Sequence, residues 1–158
     1  MRREFCERYR VSVIIPYYNS LSLLWEAIES ICRQTVIPDE VIVVDDASGV
    51  QLELPGQCGS KIPLRLIRVA VNRGAAWCRN KGIEEANSDL IAFLDADDRW
   101  LPDKLERCIA AIGPMPAKNE AKVRFSNVVL KAGNRRALGN RIPYDGRPML
   151  DFILIEEG

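Results

Sequence analysis

Apolar residues fall in short unbroken blocks, and the stretches between them carry helical spacing. Val11-Ser12-Val13-Ile14-Ile15 and Glu40-Val41-Ile42-Val43-Val44 are β-branched and apolar at successive positions, so each reads as a strand covered on both faces. Pro16 cannot donate to a ladder and predicts the end of the first strand. Leu64 to Val69 alternates, which predicts a strand nearer a sheet edge. Leu90-Ile91-Ala92-Phe93-Leu94 is a further apolar run and predicts another strand buried on both faces. Between these blocks, Leu23, Leu24, Ala27, Ile28 and Ile31 recur at helical spacing, with Glu26, Glu29 and Arg33 facing away. They predict a helix from about Leu21 to Gln34, capped by Asn19 or Ser20. Ala75 to Ala86 predicts a second helix, rich in alanine. A third starts at Leu101-Pro102-Asp103, draws an apolar face from Leu105, Cys108, Ile109 and Ile112, and stops at Gly113-Pro114-Met115-Pro116.

The remaining segments are plainer. Val50 to Pro63 lacks a period and predicts a loop with at most a short helix. Lys122 to Leu130 predicts a strand, Ala132 to Arg136 a hairpin-like turn with a short return strand, and Met149 to Ile155 the opening of one more helix. Strands alternating with helices predict an α/β fold, with a Rossmann-like, mostly parallel sheet flanked by helices.

Polar residues matter most where the apolar blocks stop. The second strand ends in Asp45-Asp46, and the run at Leu90 ends in Asp95-Ala96-Asp97-Asp98. Right-handed crossovers put both ends at one edge of the sheet, so these five carboxylates are expected to line one crevice. Two carboxylates about 4 Å apart repel by roughly 4 kcal/mol at an effective dielectric near 20. A hard divalent cation, Mg2+ or Mn2+, answers that repulsion; an acidic, solvated turn is the plainer alternative. Arg79, one turn into the second helix, offers a fork that suits phosphate, and the helix N-terminus adds backbone donors. Together they describe a diphosphate site. The alternative for Arg79 taken alone is a surface helix residue. Neither G-x-G-x-x-G nor G-x-x-x-x-G-K-[ST] occurs, so the dinucleotide and P-loop fingerprints are absent.

Composition removes several classes. The 158 residues hold 22 Lys plus Arg against 22 Asp plus Glu, which disfavours a nucleic-acid partner. There is no histidine, which excludes Ser-His-Asp and Cys-His nucleophiles and histidine-based metal sites. No apolar run is long enough to span a bilayer, and the charged first ten residues do not form a signal peptide. Five scattered cysteines without a C-x-x-C pair suggest neither a zinc site nor a disulfide scaffold, and hence a reducing, cytoplasmic setting.

Four blocks, V-S-V-I-I-P-Y-Y-N (11–19), V-I-V-V-D-D-A-S (41–48), N-R-G-A-A-W-C-R-N (72–80) and I-A-F-L-D-A-D-D (91–98), resemble in order and spacing the inverting family 2 glycosyltransferases of GT-A fold. The likeness is close over about residues 11–100 and looser beyond. It implies a nucleotide diphosphate sugar donor, UDP-linked by inference, a divalent Mn2+ or Mg2+ ion held by a D-x-D motif, and transfer to a hydroxyl with inversion. The acceptor would be a saccharide, a lipid-linked or a protein hydroxyl, with the enzyme cytoplasmic or peripheral at the inner membrane face. Carried onto this chain, Pro16 and Tyr18 would border the base, beside Asn19, and Asp46 would accept from the base imide nitrogen. Asn72 and Gly74 would shape the loop beside the nucleotide, and Arg79 would stand near the diphosphate. Asp95 would face the ribose and Asp97 would ligate the metal, with Asp98 able to take either role because D-A-D-D permits two registers.

By the same resemblance, residues 1–10 are an extension, 11–112 the nucleotide-sugar-binding half, and 113–158 the incomplete start of the acceptor half. The family's base carboxylate lies well beyond the D-x-D motif, and neither Glu156 nor Glu157 is assigned that role. Truncation is the expectation, with self-association through Met149 to Ile155. A non-catalytic nucleotide-sugar-binding module is the second reading. A Mg2+-dependent phospho-acceptor receiver domain is a remote third, since it would want its acidic pair after the first strand.

Overall fold

The computed structural model describes residues 9–55, 57–58, 62–112, 129–132 and 135–138. In chain order the elements are β1 (Val11–Tyr17), α1 (Leu21–Cys32), β2 (Glu40–Asp45), β3 (Gln57–Cys58), β4 (Ile62–Arg68), α2 (Ala75–Glu85), β5 (Leu90–Phe93), α3 (Lys104–Ile112), β6 (Val129–Ala132) and β7 (Arg135–Leu138). The chain divides into two compact units, residues 1–124 and 125–158.

The first unit is built on a sheet of order β3-β4-β2-β1-β5, in which β4, β2, β1 and β5 run parallel. Alternation of side chains assigns the two faces. Val13, Ile15 and Tyr17 of β1 and Val41 and Val43 of β2 pack with Leu24, Ala27, Ile28 and Ile31 of α1. Leu105 and Ile109 of α3 join Val11 on that same face. Ile14, Ile42 and Val44 point the other way and pack with Cys78 of α2. Helices on both faces explain why Val13 to Ile15 of β1 and Val41 to Val44 of β2 are apolar without alternation.

Four expectations are corrected. Pro16 does not end β1, which continues through Tyr17. The Ile14 carbonyl accepts from Leu94 N–H on the β5 side, and the Tyr17 carbonyl accepts from Asp46 N–H on the β2 side. Pro16 lies in phase with Ile14, so its missing N–H faces the side where β5 has already ended. Second, the loop at 50–63 contains β3, a two-residue strand antiparallel to the start of β4. Third, β5 is only part-buried, although Leu90 and Ala92 pack on one of its faces and Ile91 on the other. Among the described residues it pairs only with β1, and Phe93 is 42% exposed. Fourth, Cys32 at the end of α1 is disulfide-bonded, whereas Cys78 and Cys108 are free thiols. Spacing along the chain does not report which cysteines folding brings together, and the cysteine argument for a reducing compartment loses its premise.

In the second unit, β6 and β7 pair antiparallel with Ala132 opposite Arg135, so Ala132, Arg135 and Arg136, expected in the turn, stand in the two strands instead. The expected strand start at 122–128 and the expected helix at Met149 to Ile155, with the self-association drawn from it, fall outside the described residues.

Candidate functional site

Parallel strands bring the carboxyl ends of β1, β2 and β5 to one edge of the sheet, and the N-terminus of α2 faces that edge. Each sequence-derived candidate can be placed there. Tyr17 is buried, whereas Tyr18, one residue on, is 53% exposed and free to stack on a ligand. Pro16 is buried within β1. Asn19 adopts the left-handed region at φ 55° and joins two loops. Its N–H donates to Ser48 Oγ at 2.9 Å, and its Oδ1 accepts from Gly49 N–H at 2.9 Å. The expected cap on α1 is therefore absent: Ser20 holds the N-cap position without a side-chain bond, and Asn19 spends its oxygen on the next loop.

The acidic pair after β2 does not line the crevice as free carboxylates. Asp45 is 0% exposed. Its Oδ1 accepts from Ser48 N–H at 2.9 Å, and its Oδ2 lies 3.6 Å from Arg68 Nε as an ion pair without a hydrogen bond. The Arg68 guanidinium also donates to the Ser48 carbonyl at 2.6 Å. Asp46 is 4% exposed. Its two oxygens accept from Arg73 N–H and Gly74 N–H, both at 2.8 Å, and its carbonyl accepts from Asn72 Nδ2 at 3.3 Å. Asp46, Asn72 and Gly74 thus meet as a clamp that ties the approach to α2 onto β2. Ala47, between Asp46 and Ser48, is held at φ 60°.

Gly74 stands at φ 85° and opens α2 with no side chain capping it. A positive φ favours glycine, and no atom lies within 4 Å of where a Cβ would sit. The uncapped first turn of α2 presents backbone N–H groups and a positive dipole end to the crevice, an arrangement that suits an anion. Arg79, one turn in, donates to Asp95 Oδ1 at 2.5 Å. Asp95 is half-exposed and Asp97 and Asp98 are exposed, with Asp98 N–H closing a turn onto the Asp95 carbonyl at 3.0 Å. The Asp98 carboxyl is pushed above its ordinary range by partial burial, then by the charges of Asp97 and Asp95. The carboxylate oxygens of Asp95, Asp97 and Asp98 are the donor type that a hard divalent cation takes. As they stand, no group of three Asp, Glu or Cys side chains among the described residues is gathered closely enough to hold an ion.

Several contributors escape sequence reasoning. Ser48 and Arg68 hold Asp45, and Arg73 lies over the Trp77 ring at 5.0 Å. Cys78 is fully buried behind Asp46, and its thiol is pushed up to about 11 by burial and by the charge of Asp46. That thiol stays protonated and is no nucleophile at neutral pH. Ser48, Arg73 and Cys78 fall within the quoted sequence blocks and Arg68 does not, and none of them carries a signal of its role.

The family model "Glycosyl transferase family 2" matches residues 12–147. The chain is 34% identical over 119 residues to the E. coli UDP-Glc:alpha-D-GlcNAc-diphosphoundecaprenol beta-1,3-glucosyltransferase WfgD, covering 75% of this chain and 46% of that protein. A crystal structure of S. aureus TarS 1–349 in complex with UDP-GlcNAc matches with a TM-score of 0.58 at 29% identity, covering 74% of this chain and 37% of that one. The mannosyltransferase PcManGT from Pyrobaculum calidifontis, in complex with GDP-Man and Mn2+, matches with a TM-score of 0.57 at 28% identity, covering 67% and 33%. This chain spans less than half the length of these relatives. No helix among the described residues is long and apolar enough to cross a membrane. With the family model matching most of its length, the chain belongs to glycosyl transferase family 2.

Proposed function

We propose that residues 11–112 form the nucleotide-sugar-binding half of a glycosyltransferase that transfers a sugar from a nucleoside diphosphate donor to a hydroxyl, with inversion and with Mn2+ or Mg2+. The observation that carries this reading is the meeting of an uncapped helix N-terminus, Arg79 and the carboxylates of Asp95, Asp97 and Asp98 at one sheet edge. The diphosphate would lie against the first turn of α2, and Arg79 would trade its bond with Asp95 for a phosphate oxygen. Tyr18, the exposed aromatic at the end of β1, would stack on the base. Asp46 would orient the pocket through the loop it clamps and accept from the base with a remaining lone pair.

Asp97, with Asp95 or Asp98, would hold the metal. When bound, the ion offsets charge building on the departing diphosphate. A UDP donor is favoured by WfgD and TarS, whose names carry UDP-Glc and UDP-GlcNAc; PcManGT with GDP-Man makes GDP the competing arm. The acceptor named for WfgD is lipid-linked, and an acceptor of that kind would hold the protein at the inner membrane face. The general base is unassigned.

A thermal-shift series with UDP, GDP and TDP, with and without Mn2+, tests the reading. A ligand at one hundred times its dissociation constant adds about 2.7 kcal/mol to stability. A Mn2+-dependent shift with UDP that exceeds those with GDP and TDP is expected, and no shift with any diphosphate would overturn the donor site. Resonances of the product's anomeric centre, compared with the donor's, decide inversion.

A further inference from the structure

The carboxylate loop is tied to the sheet at its entrance, where Leu94 N–H donates to the Ile14 carbonyl at 3.1 Å. At its exit the chain is tied to α1 and to the residues that follow it. Glu26 pairs with Arg99. Ser30 Oγ accepts from Trp100 N–H at 3.1 Å while donating to the Ala27 carbonyl at 2.7 Å. Gln34 Nε2 donates to the Leu101 carbonyl at 2.7 Å and to the Ser30 carbonyl at 3.2 Å, and its Oε1 accepts from Leu105 N–H at 2.9 Å. Thr35 N–H donates to the Pro102 carbonyl at 2.8 Å. Glu26 and Ser30, four apart on one face of α1, and Gln34 and Thr35, just past its end, take the exit chain from Arg99 to Leu105 in order.

Gln34 is the centre of this grip. It is 5% exposed, and both its amide hydrogens and its oxygen are engaged. Its oxygen also satisfies a first-turn N–H of α3, the work a local cap does elsewhere. A buried amide with its polar atoms matched is costly to disturb, because each freed group is left without water. Metal-ligand distances tolerate only about 0.2 Å, so the carboxylates must be held from both ends.

We propose that Gln34, supported by Ser30, is a positioning residue that sets where Asp95, Asp97 and Asp98 stand, by clamping the exit of their loop to α1 and α3. The proposal rests on the nucleotide-and-metal reading for its function, and on the hydrogen bonds alone for its structural part.

Two measurements on Gln34→Met separate these. Titration calorimetry with UDP, with and without Mn2+, is expected to show a loss of at least tenfold in the Mn2+-dependent gain in affinity, with metal-free UDP affinity unchanged. Hydrogen exchange is expected to quicken at Leu94 and Asp98 and to stay unchanged across β1 and β2. Ser30→Ala, which removes the Trp100 acceptor together with the bond to the Ala27 carbonyl, is expected to reproduce both effects more weakly and serves if Gln34→Met does not fold. Arg33→Ala, an exposed neighbour on α1, is expected to change neither. Unchanged exchange at Leu94 and Asp98 overturns the clamp. Quickened exchange with an undiminished Mn2+ gain overturns its bearing on the metal. Failure of the wild type to bind UDP or GDP sinks the donor site instead, and the exchange data then decide the clamp by themselves.

Discussion

Asp46 at the end of β2 and Gly74 at the head of α2 are joined by a 2.8 Å hydrogen bond, and the neighbouring Arg73 amide takes the other oxygen of the same carboxylate at the same distance. One side chain thus fixes two consecutive amides, and the direction in which α2 meets the crevice follows from it. Charge-assisted bonds of this kind contribute roughly 1.5–3 kcal/mol. Asp46→Asn keeps one acceptor and turns an NH2 group toward the second N–H. The variant is expected to lose about 1.5–3 kcal/mol of stability by urea denaturation, and to bind UDP more weakly while keeping its Mn2+ dependence. Equal stability and affinity in variant and wild type would show the clamp to be idle.

Gly82 gives a second check on how α2 is seated. A Cβ there would lie 2.4 Å from Ile14 Cγ2, so the glycine lets the helix rest directly on β1. Gly82→Ala gains about 1 kcal/mol of helix propensity but overpacks the core, which costs typically 1–3 kcal/mol. A net loss is expected. Adding Ile14→Ala, which by itself costs about 2–5 kcal/mol, should make the double variant more stable than the two single effects sum to. Strict additivity by denaturation would mean that the helix simply shifts outward.

Which parts of this were readable follows from what a sequence can encode locally. Strands β1 and β2 carry unbroken apolar runs, Val13 to Ile15 and Val41 to Val44, because both faces are covered, so they announce themselves as blocks. Leu90 to Phe93 has the same look, yet the described residues leave it part-buried at an edge, since composition carries no information about neighbours. The carboxylates at the strand ends were legible as a group, while their division was not. Asp45 and Asp46 are consumed by Ser48, Arg68, Arg73 and Gly74, and only Asp95, Asp97 and Asp98 stay open to solvent. The bond from Gln34 to Leu101 spans 67 positions, and no local pattern marks it.

At the opposite edge of the sheet, Glu40 supplies a pH dependence independent of the site. Burial pulls its carboxyl upward, but bonds from Ser12 Oγ at 2.7 Å, Asn87 N–H at 3.3 Å and Arg65 at 3.2 Å outweigh burial and hold it below its ordinary range. A lowered folded value means the contribution is present above the unfolded glutamate range and is lost as pH falls through the folded value. Glu40→Gln is therefore expected to be less stable than wild type at pH 7 by about 1–2 kcal/mol, with the gap closing below about pH 4. Parallel urea curves from pH 3 to 8 measure this, and a gap constant with pH would assign the loss to packing.

Asp97 lies at the centre of the exposed acidic loop, and its charge helps hold the Asp98 carboxyl above the ordinary range, after burial and ahead of Asp95. Without a cation, that repulsion opposes the folded loop, so removing Asp97 should leave the protein as stable as before or slightly more so. With a cation the sign reverses, because a ligand is lost. Asp97→Ala is accordingly expected to keep its denaturation midpoint in chelator, to lose the extra stabilisation that Mn2+ gives in the presence of UDP, and to keep metal-free UDP binding. Calorimetry and thermal shift on the same preparation check all three. If Mn2+ strengthens UDP binding equally in variant and wild type, Asp97 is not a ligand, and the metal assignment passes to Asp95 with Asp98, the other register that Asp95-Ala96-Asp97-Asp98 allows.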